Sequence, residues 1–371
     1  MNLHNPTNGI VAVIFDLDGL IADSEPLSWW AWGQVLASYG HKLDAHTFRS
    51  VQGLRVADYA AFLCSRFSLP LSPEEAQAMR ERLVLEAIPV RLQARPGLYQ
   101  LLDELEARGL PLGIATSSSL EHAHLAIQTL GIGERFQALA TGDEVVRGKP
   151  APDLYLIAAE RLGVSPNGCL ALDDSPRGIE AAIAAGMLPV AVPTTWTASL
   201  EFPGCRIYSS LHEVAASLNE LLNAQPVERY LAAGSVVVHN GHVLVLHRPG
   251  CGEVRLPKGH VERGETAVET ALRETREESG YADLIIKGDL GAQTVEFTRP
   301  DGRHVVRTER YFLLMLTEEH GRTTRQPEAG AHESQFEPLW LTWDEAQAAL
   351  TFEAERAWVR LARARVYSES S

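Results

Sequence analysis

The sequence predicts an α/β domain, a parallel sheet wrapped by helices with a helical insertion over it, followed by an α+β domain with a mixed sheet between helices. Three observations lead there. In the first half, short apolar runs alternate with helical patterns, as in a parallel sheet covered on both faces. Beyond about residue 223 the texture changes to longer β-rich runs around one strongly periodic helix. A chain of 371 residues also exceeds one ordinary core and asks for two or three domains.

The strands of the first domain are read at "IVAVIF" (10–15), "LPLGIAT" (110–116), "CLALDD" (169–174) and "MLPVAV" (187–192). Helices are expected over 97–109, 152–163 and 176–186. Residues 24–92 carry amphipathic helical patterns and no strand, so they read as a helical cap inserted over the sheet; Trp29, Trp30 and Trp32 are expected to pack it. The first domain spans 1–222, a linker 223–229, and the second domain 230–371. "GSVVVHNGHVLVLHR" (234–248) places two strands around Asn240-Gly241, a hairpin signal. A helix over 266–279, strands near 284–297, 305–316 and 338–341, and a single final helix over 343–365 complete the reading.

A formal net charge of −15 argues against nucleic acid or an anionic membrane surface as partner. Cys64, Cys169, Cys205 and Cys251 are too dispersed for a disulfide framework or a zinc ribbon. With no leader-like segment and no long apolar stretch, the cytoplasm is the expected compartment.

Two acidic clusters carry the chemistry. In "VIFDLDGLIADSE" (13–25), Asp16 and Asp18 emerge at the carboxyl end of the first strand, where ligands bind in open α/β sheets. Later strands end in Thr116-Ser117 and Asp173-Asp174, and Lys149 opens the loop "RGKPAPD". Carboxylates, hydroxyls and an ammonium thus converge on one edge. A carboxylate there can attack phosphorus, Lys149 and Thr116 can bind phosphoryl oxygens, and Asp18 is placed to move a proton, with Mg²⁺ holding the anions together.

"DLDGLIADSE", "IATSS", "GKPAPD" and "LDDSPRGIEAA" resemble, in order, the four motifs of the haloacid dehalogenase superfamily, across residues 10–222. The insertion resembles its β-phosphoglucomutase and sugar-phosphatase branch. The resemblance implies a Rossmann-like sheet, with Asp16 as nucleophile and Asp18 as general acid/base. It also implies phosphate contacts from Thr116, Ser117 and Lys149, and a magnesium site drawn from Asp16, Asp18, Asp173 and Asp174. Arg55 resembles a substrate-facing cap residue. Ser28 stands where relatives often carry histidine, which favours phosphatase over phosphomutase chemistry.

The second cluster lies in "LPKGHVERGETAVETALRETREESGY" (256–281). Glu274, Glu277 and Glu278, at i, i+3 and i+4, share one helix face beside an apolar arc of Ala267, Val268, Ala271, Leu272 and Thr275. Their mutual repulsion asks for divalent cations. Glu265 can pair with Arg273, and Gly259 and Gly264 let the loop fold tightly against the helix.

The spacing from Gly259 through Glu265 to "RETREESGY", closing at Gly280, resembles the Nudix box, with Thr275 where an aliphatic residue is commoner. It implies pyrophosphohydrolase chemistry on a nucleoside diphosphate linked to another group, Glu274, Glu277 and Glu278 as metal ligands, and Glu277 or Glu333 as base. "LPKGHVERGE" and "AHESQFEPLWL" are similar to diadenosine tetraphosphate hydrolases, which suggests phosphate contacts from Lys258 and Arg307 and base stacking by Phe297. The expectation is a bifunctional hydrolase using Mg²⁺, or Mn²⁺, in both domains on small phosphorylated metabolites and nucleotides. The alternatives are a phosphomutase-like first domain, or a second domain that senses nucleotide without turnover.

Overall fold

In the computed structural model, residues 9–49, 56–223, 228–250, 252–262, 264–299, 304–317 and 336–368 are described. Arg55, Cys251 and Glu333 lie outside them. The chain divides into two compact units, Met1–Glu228 and Arg229–Ser371.

The first unit runs β1 (Ala12–Phe15), α1 (Glu25–Ala37), α2 (Ala45–Arg49), α3 (Val56–Arg66), α4 (Pro73–Arg91), α5 (Leu98–Ala107), β2 (Leu112–Ala115), α6 (Leu120–Leu130) and β3 (Ala138–Ala140). It continues through α7 (Asp153–Leu162), β4 (Cys169–Asp173), α8 (Pro176–Ala184), β5 (Leu188–Ala191), β6 (Arg206–Ile207), α9 (Leu211–Ala216) and α10 (Leu218–Leu222). The strands form a parallel sheet in the order β3-β2-β1-β4-β5-β6. Because strand side chains alternate faces, Val13 and Phe15 of β1 enter one apolar cluster, with α5, α6 and α9, and Ala12 and Ile14 enter the other, with α7 and α8. β4 divides likewise, Leu170 and Leu172 against Cys169 and Ala171. Burial on both faces explains why these strands read as continuous apolar runs.

Helices α1–α4 fill the interval between β1 and α5. They have their own core, in which Trp32 is buried and Trp29 stacks on Trp196 at 5.7 Å between centroids; Trp30, covered by the Arg91 guanidinium, packs against the sheet-side cluster. Helix α4 starts at a capping box between Ser72 and Glu75, with Pro73 in its first turn.

The second unit comprises β7 (Glu228–His239), β8 (His242–Arg248), β9 (Glu253–Arg255), β10 (Lys258–His260), α11 (Ala267–Ser279), β11 (Leu284–Thr298), β12 (His304–Leu316), β13 (Glu337–Thr342), α12 (Trp343–Ala349) and α13 (Glu353–Ser368). The sheet path is β11-β12-β7-β8-β13, with β10 on β7 and β9 on β8. Asn240 (φ 46°) and Gly241 (φ 76°) both take the left-handed conformation that a two-residue hairpin turn requires. Val237 and Leu244 face α11, whereas Val236, Val238, Val243 and Val245 face α12 and α13, so helices cover both sides.

Two local expectations are corrected. The single helix over 343–365 is two helices, because Leu350 leaves the helix with ψ 132° and Thr351 pairs with β9 instead, its N–H donating to Val254 O at 2.8 Å and its Oγ1 accepting from Val254 N at 2.9 Å. Strands β3, β6, β9 and β10 are additional; at two or three residues each they are too short for period-two alternation to show. No helix among the described residues is long and apolar enough to cross a membrane.

Ile14 is fully buried on central strand β1. Ile14→Ala is expected to cost about 2–5 kcal/mol through lost transfer energy and a residual cavity, read as a lower urea midpoint for the transition of this unit.

Candidate active sites

Parallel strands deliver the residues that follow them to one edge, and β1 and β4 are neighbours. Asp16 follows β1, while Asp173 ends β4 and Asp174 follows it. All three are buried, and each offers an oxygen such that the three lie within 4.8 Å of one another. Lys149 Nζ enters the group, bonded to Asp16 Oδ1 and, at 2.8 Å, to Asp173 Oδ2. Asp173 is further held by Tyr155 Oη at 2.7 Å and by the Ser175 amide and hydroxyl at 2.9 and 2.8 Å. Gly19, at φ 87°, lets the turn after β1 close on Asp174: a Cβ there would fall 2.4 Å from Asp174 Oδ2.

The electrostatics follow from crowding. Burial pushes Asp16 up to about 8 against the opposing Lys149 charge. Burial, then the charges of Asp173 and Asp16, push Asp174 well above the carboxylate range. Burial disfavours the Lys149 ammonium, but Asp16 and Asp173 outweigh it and hold Lys149 above its ordinary value. Lys149 thus offsets two carboxylates and bonds to neither oxygen of Asp174. An all-oxygen, buried, under-compensated donor set fits a hard divalent cation such as Mg²⁺.

Asp18 stands apart from this triad. Its Oδ2 accepts from Ser118 Oγ at 2.6 Å and its Oδ1 lies 3.2 Å from His122 Nε2. His122 Nδ1 in turn lies 3.2 Å from Glu81 Oε1 on α4. Burial would raise Asp18, but the His122 charge and the hydrogen bonds from His122, Ser118 and Ser24 hold it below the usual range. Burial would lower His122, yet Asp18 and Glu81 push it up to about 10. The sequence reading included Asp18 in the metal set; here its carboxylate meets Ser118 and His122, while Asp16, Asp173 and Asp174 form the close triad. Thr116 is buried, its Oγ1 accepting from the Ser118 amide at 3.1 Å, and Ser117 is exposed. Ser28 Oγ accepts from Arg80 at 3.1 Å.

In the second unit Arg273 organises the acidic helix. Its Nε and Nη2 bind Glu265 at 2.6 and 2.9 Å, its Nη1 binds Glu274 and Glu277 at 2.7 and 2.9 Å, and Nη2 also donates to His260 O at 2.9 Å. The hydrogen bond from Arg273 draws Glu265 down to about 2. Gly259 is required by close approach, since a Cβ there would sit 2.0 Å from Glu274 Cδ. Glu278 is buried, accepts from the Lys258 amide at 3.0 Å and pairs with Arg255; burial pushes it up to about 7. Gly280 caps α11 at φ 82°. Thr275 occupies its position because Ser235 of β7, also buried, shares a 2.6 Å hydroxyl hydrogen bond with it. The three glutamates are all-oxygen donors on one face, one of them buried, and their chemistry fits the same class of cation; among the described residues, though, only the aspartate triad brings three such oxygens within 4.8 Å.

Lys258 does not stand free in the loop. Its Nζ is bound by Glu355 at 2.6 Å and Glu309 at 3.2 Å, both buried. Arg307 bonds Glu309 at 2.6 Å and lies over the Phe297 ring at 5.3 Å, the two side chains sharing one face of the β11–β12 ladder. The sequence reading missed Tyr155, Ser118, His122, Glu81, Glu309 and Glu355. Ser118, inside "IATSS", and His122, in the first turn after "TSSS", left a local trace; the others are joined to their sites by contacts distant in sequence. Lys258→Met leaves the Glu355 carboxylate with the Leu256 amide as donor. Breaking this buried pairing is expected to cost about 3–5 kcal/mol, measured by urea unfolding of the second unit.

Comparison with known proteins agrees with this geometry. The family model for haloacid dehalogenase-like hydrolases matches residues 10–186, and that for the NUDIX domain matches residues 229–362. The "Probable pseudouridine-5'-phosphatase" of Drosophila melanogaster is 38% identical over 186 residues, 48% of this chain and 80% of that protein. Fructose-1-phosphate phosphatase YqaB of Escherichia coli is 32% identical over 180 residues, covering 47% and 92%. The crystal structure of CbbY from Rhodobacter sphaeroides in complex with phosphate superposes with a TM-score of 0.50 at 28% identity, over 55% of this chain and 96% of that one. The chain is a hydrolase that belongs to the haloacid dehalogenase-like family and carries a NUDIX domain after it.

Proposed function

We propose that the chain is a bifunctional hydrolase: a Mg²⁺-dependent phosphatase acting through an aspartyl-phosphate on a small phosphomonoester, and a pyrophosphohydrolase acting on nucleoside or dinucleoside polyphosphates. The observation that carries the first activity is the buried group of Asp16, Lys149, Asp173 and Asp174 at the carboxyl edge of the sheet. Bound Mg²⁺ would neutralise phosphoryl charge there. The phosphoryl anion beside Asp18 opposes its charge and favours its acid form; Asp16 attacks phosphorus as the P–O ester bond breaks, and the leaving oxygen takes that proton from Asp18. Water then attacks phosphorus, its proton passing to Asp18, and free phosphate leaves with Asp16 restored. Lys149 and Thr116 orient the phosphoryl oxygens. A sugar phosphate is the substrate class favoured by relatives named for fructose 1-phosphate and hexitol phosphates.

In the second unit Glu274, Glu277 and Glu278 are the proposed cation ligands, with Arg273 and Glu265 fixing helix to loop. Glu277 is the least buried of the three and the proposed proton acceptor from the attacking water. Cleaving a dinucleoside polyphosphate yields phosphomonoesters or shorter polyphosphates, so its products include the chemical class the first site takes.

Single substitutions separate the two activities. Asp16→Asn is expected to lower phosphate release from sugar phosphates by at least about 10³-fold while leaving pyrophosphate hydrolysis intact, and Glu278→Gln to do the reverse. Both should vanish with EDTA and return with Mg²⁺. If either variant impairs both reactions equally, or if phosphate release survives EDTA, the assignment fails.

A further inference from the structure

Glu81, His122 and Asp18 form a continuous chain from helix α4 to the loop after β1. Both imidazole nitrogens face carboxylate oxygens at 3.2 Å, so the ring donates from both and carries positive charge. His122 is 3% exposed, in the first turn of α6, where the Ser119 hydroxyl caps its amide at 3.2 Å. The ring is therefore set by the core unit, while one acceptor, Glu81, comes from the helical insertion and is bonded to Arg80 at 2.9 Å. Arg80 also donates to Ser28 on α1, so two helices of the insertion are tied to the same contact.

We propose that His122 is a positioning residue for Asp18, and that through Glu81 it makes the orientation of that carboxylate depend on the placement of α4. A hydroxyl from Ser118 on one oxygen and an imidazole on the other leave the Asp18 carboxylate a single orientation. Removing His122 frees it to rotate. The inference rests on the phosphatase reading above, in which the leaving oxygen takes its proton at Asp18 as the P–O bond breaks.

Two esters of similar shape, phenyl phosphate and p-nitrophenyl phosphate, provide the test, because phenol is the poorer leaving group and needs that proton more. The value of kcat/KM covers the steps up to leaving-group departure. In the intact chain with Mg²⁺, His122→Ala is expected to lower kcat/KM for phenyl phosphate by about 10²-fold and for p-nitrophenyl phosphate by less than about 10-fold. His122→Gln, which keeps a donor, recovers part of the loss. Glu81→Gln, at a partly exposed site that tolerates the change, shifts the ratio in the same direction by a smaller factor. In an Asp18→Asn background, His122→Ala adds nothing to the loss. Equal losses on both esters for the His122 and Glu81 variants, or additive losses with Asp18→Asn, overturn the inference and leave the phosphatase reading standing. Failure of the unsubstituted chain to hydrolyse either ester overturns that reading and the inference with it.

Discussion

Crowding of three aspartate side chains at one buried strand edge is the constraint on which the first unit turns. Carboxylates so close, and so far from water, disfavour one another's charge, and Lys149 compensates two of them. The fold accepts this because the sheet beneath is apolar on both faces and supplies the stability that the edge gives up. Asp173 is tied down by Tyr155 and Ser175, and burial pushes Asp16 and Asp174 above the usual carboxylate range. A site arranged in this way attracts positive charge.

The second unit meets a like problem by a different device. Its glutamates lie along a helix rather than at strand ends, and a single guanidinium binds two of them together with the loop carboxylate of Glu265. Deeper in the unit, Lys258 and Arg307 neutralise Glu309, and Lys258 also neutralises Glu355. Charge here is balanced inside the protein, and the ion pairs join β10, β12 and α13.

Much of this was legible in the sequence, and for a physical reason. Asp16, Thr116 and Asp173 directly follow or end apolar runs, and parallel strands fix where such residues emerge; the box from Gly259 to Gly280 is readable because one helix and one loop set all its spacings locally. Less visible were the contacts made by residues far apart in the chain. Nothing in the local pattern says that Glu81 meets His122, that Tyr155 meets Asp173, or that Thr351 leaves its helix to pair with Val254. Lys258 shows the limit most clearly: a lysine beside a glycine in a loop invites a ligand-facing role, while two buried glutamates from β12 and α13 claim its ammonium.

The grip of Arg273 has a consequence for how the second unit holds helix and loop together. A guanidinium bridging Glu274, Glu277 and Glu265 docks the helix on its loop. Metals that nucleate small domains are inseparable from folding. Here an internal guanidinium does that joining, so the contact between helix and loop is built from the chain's own charges.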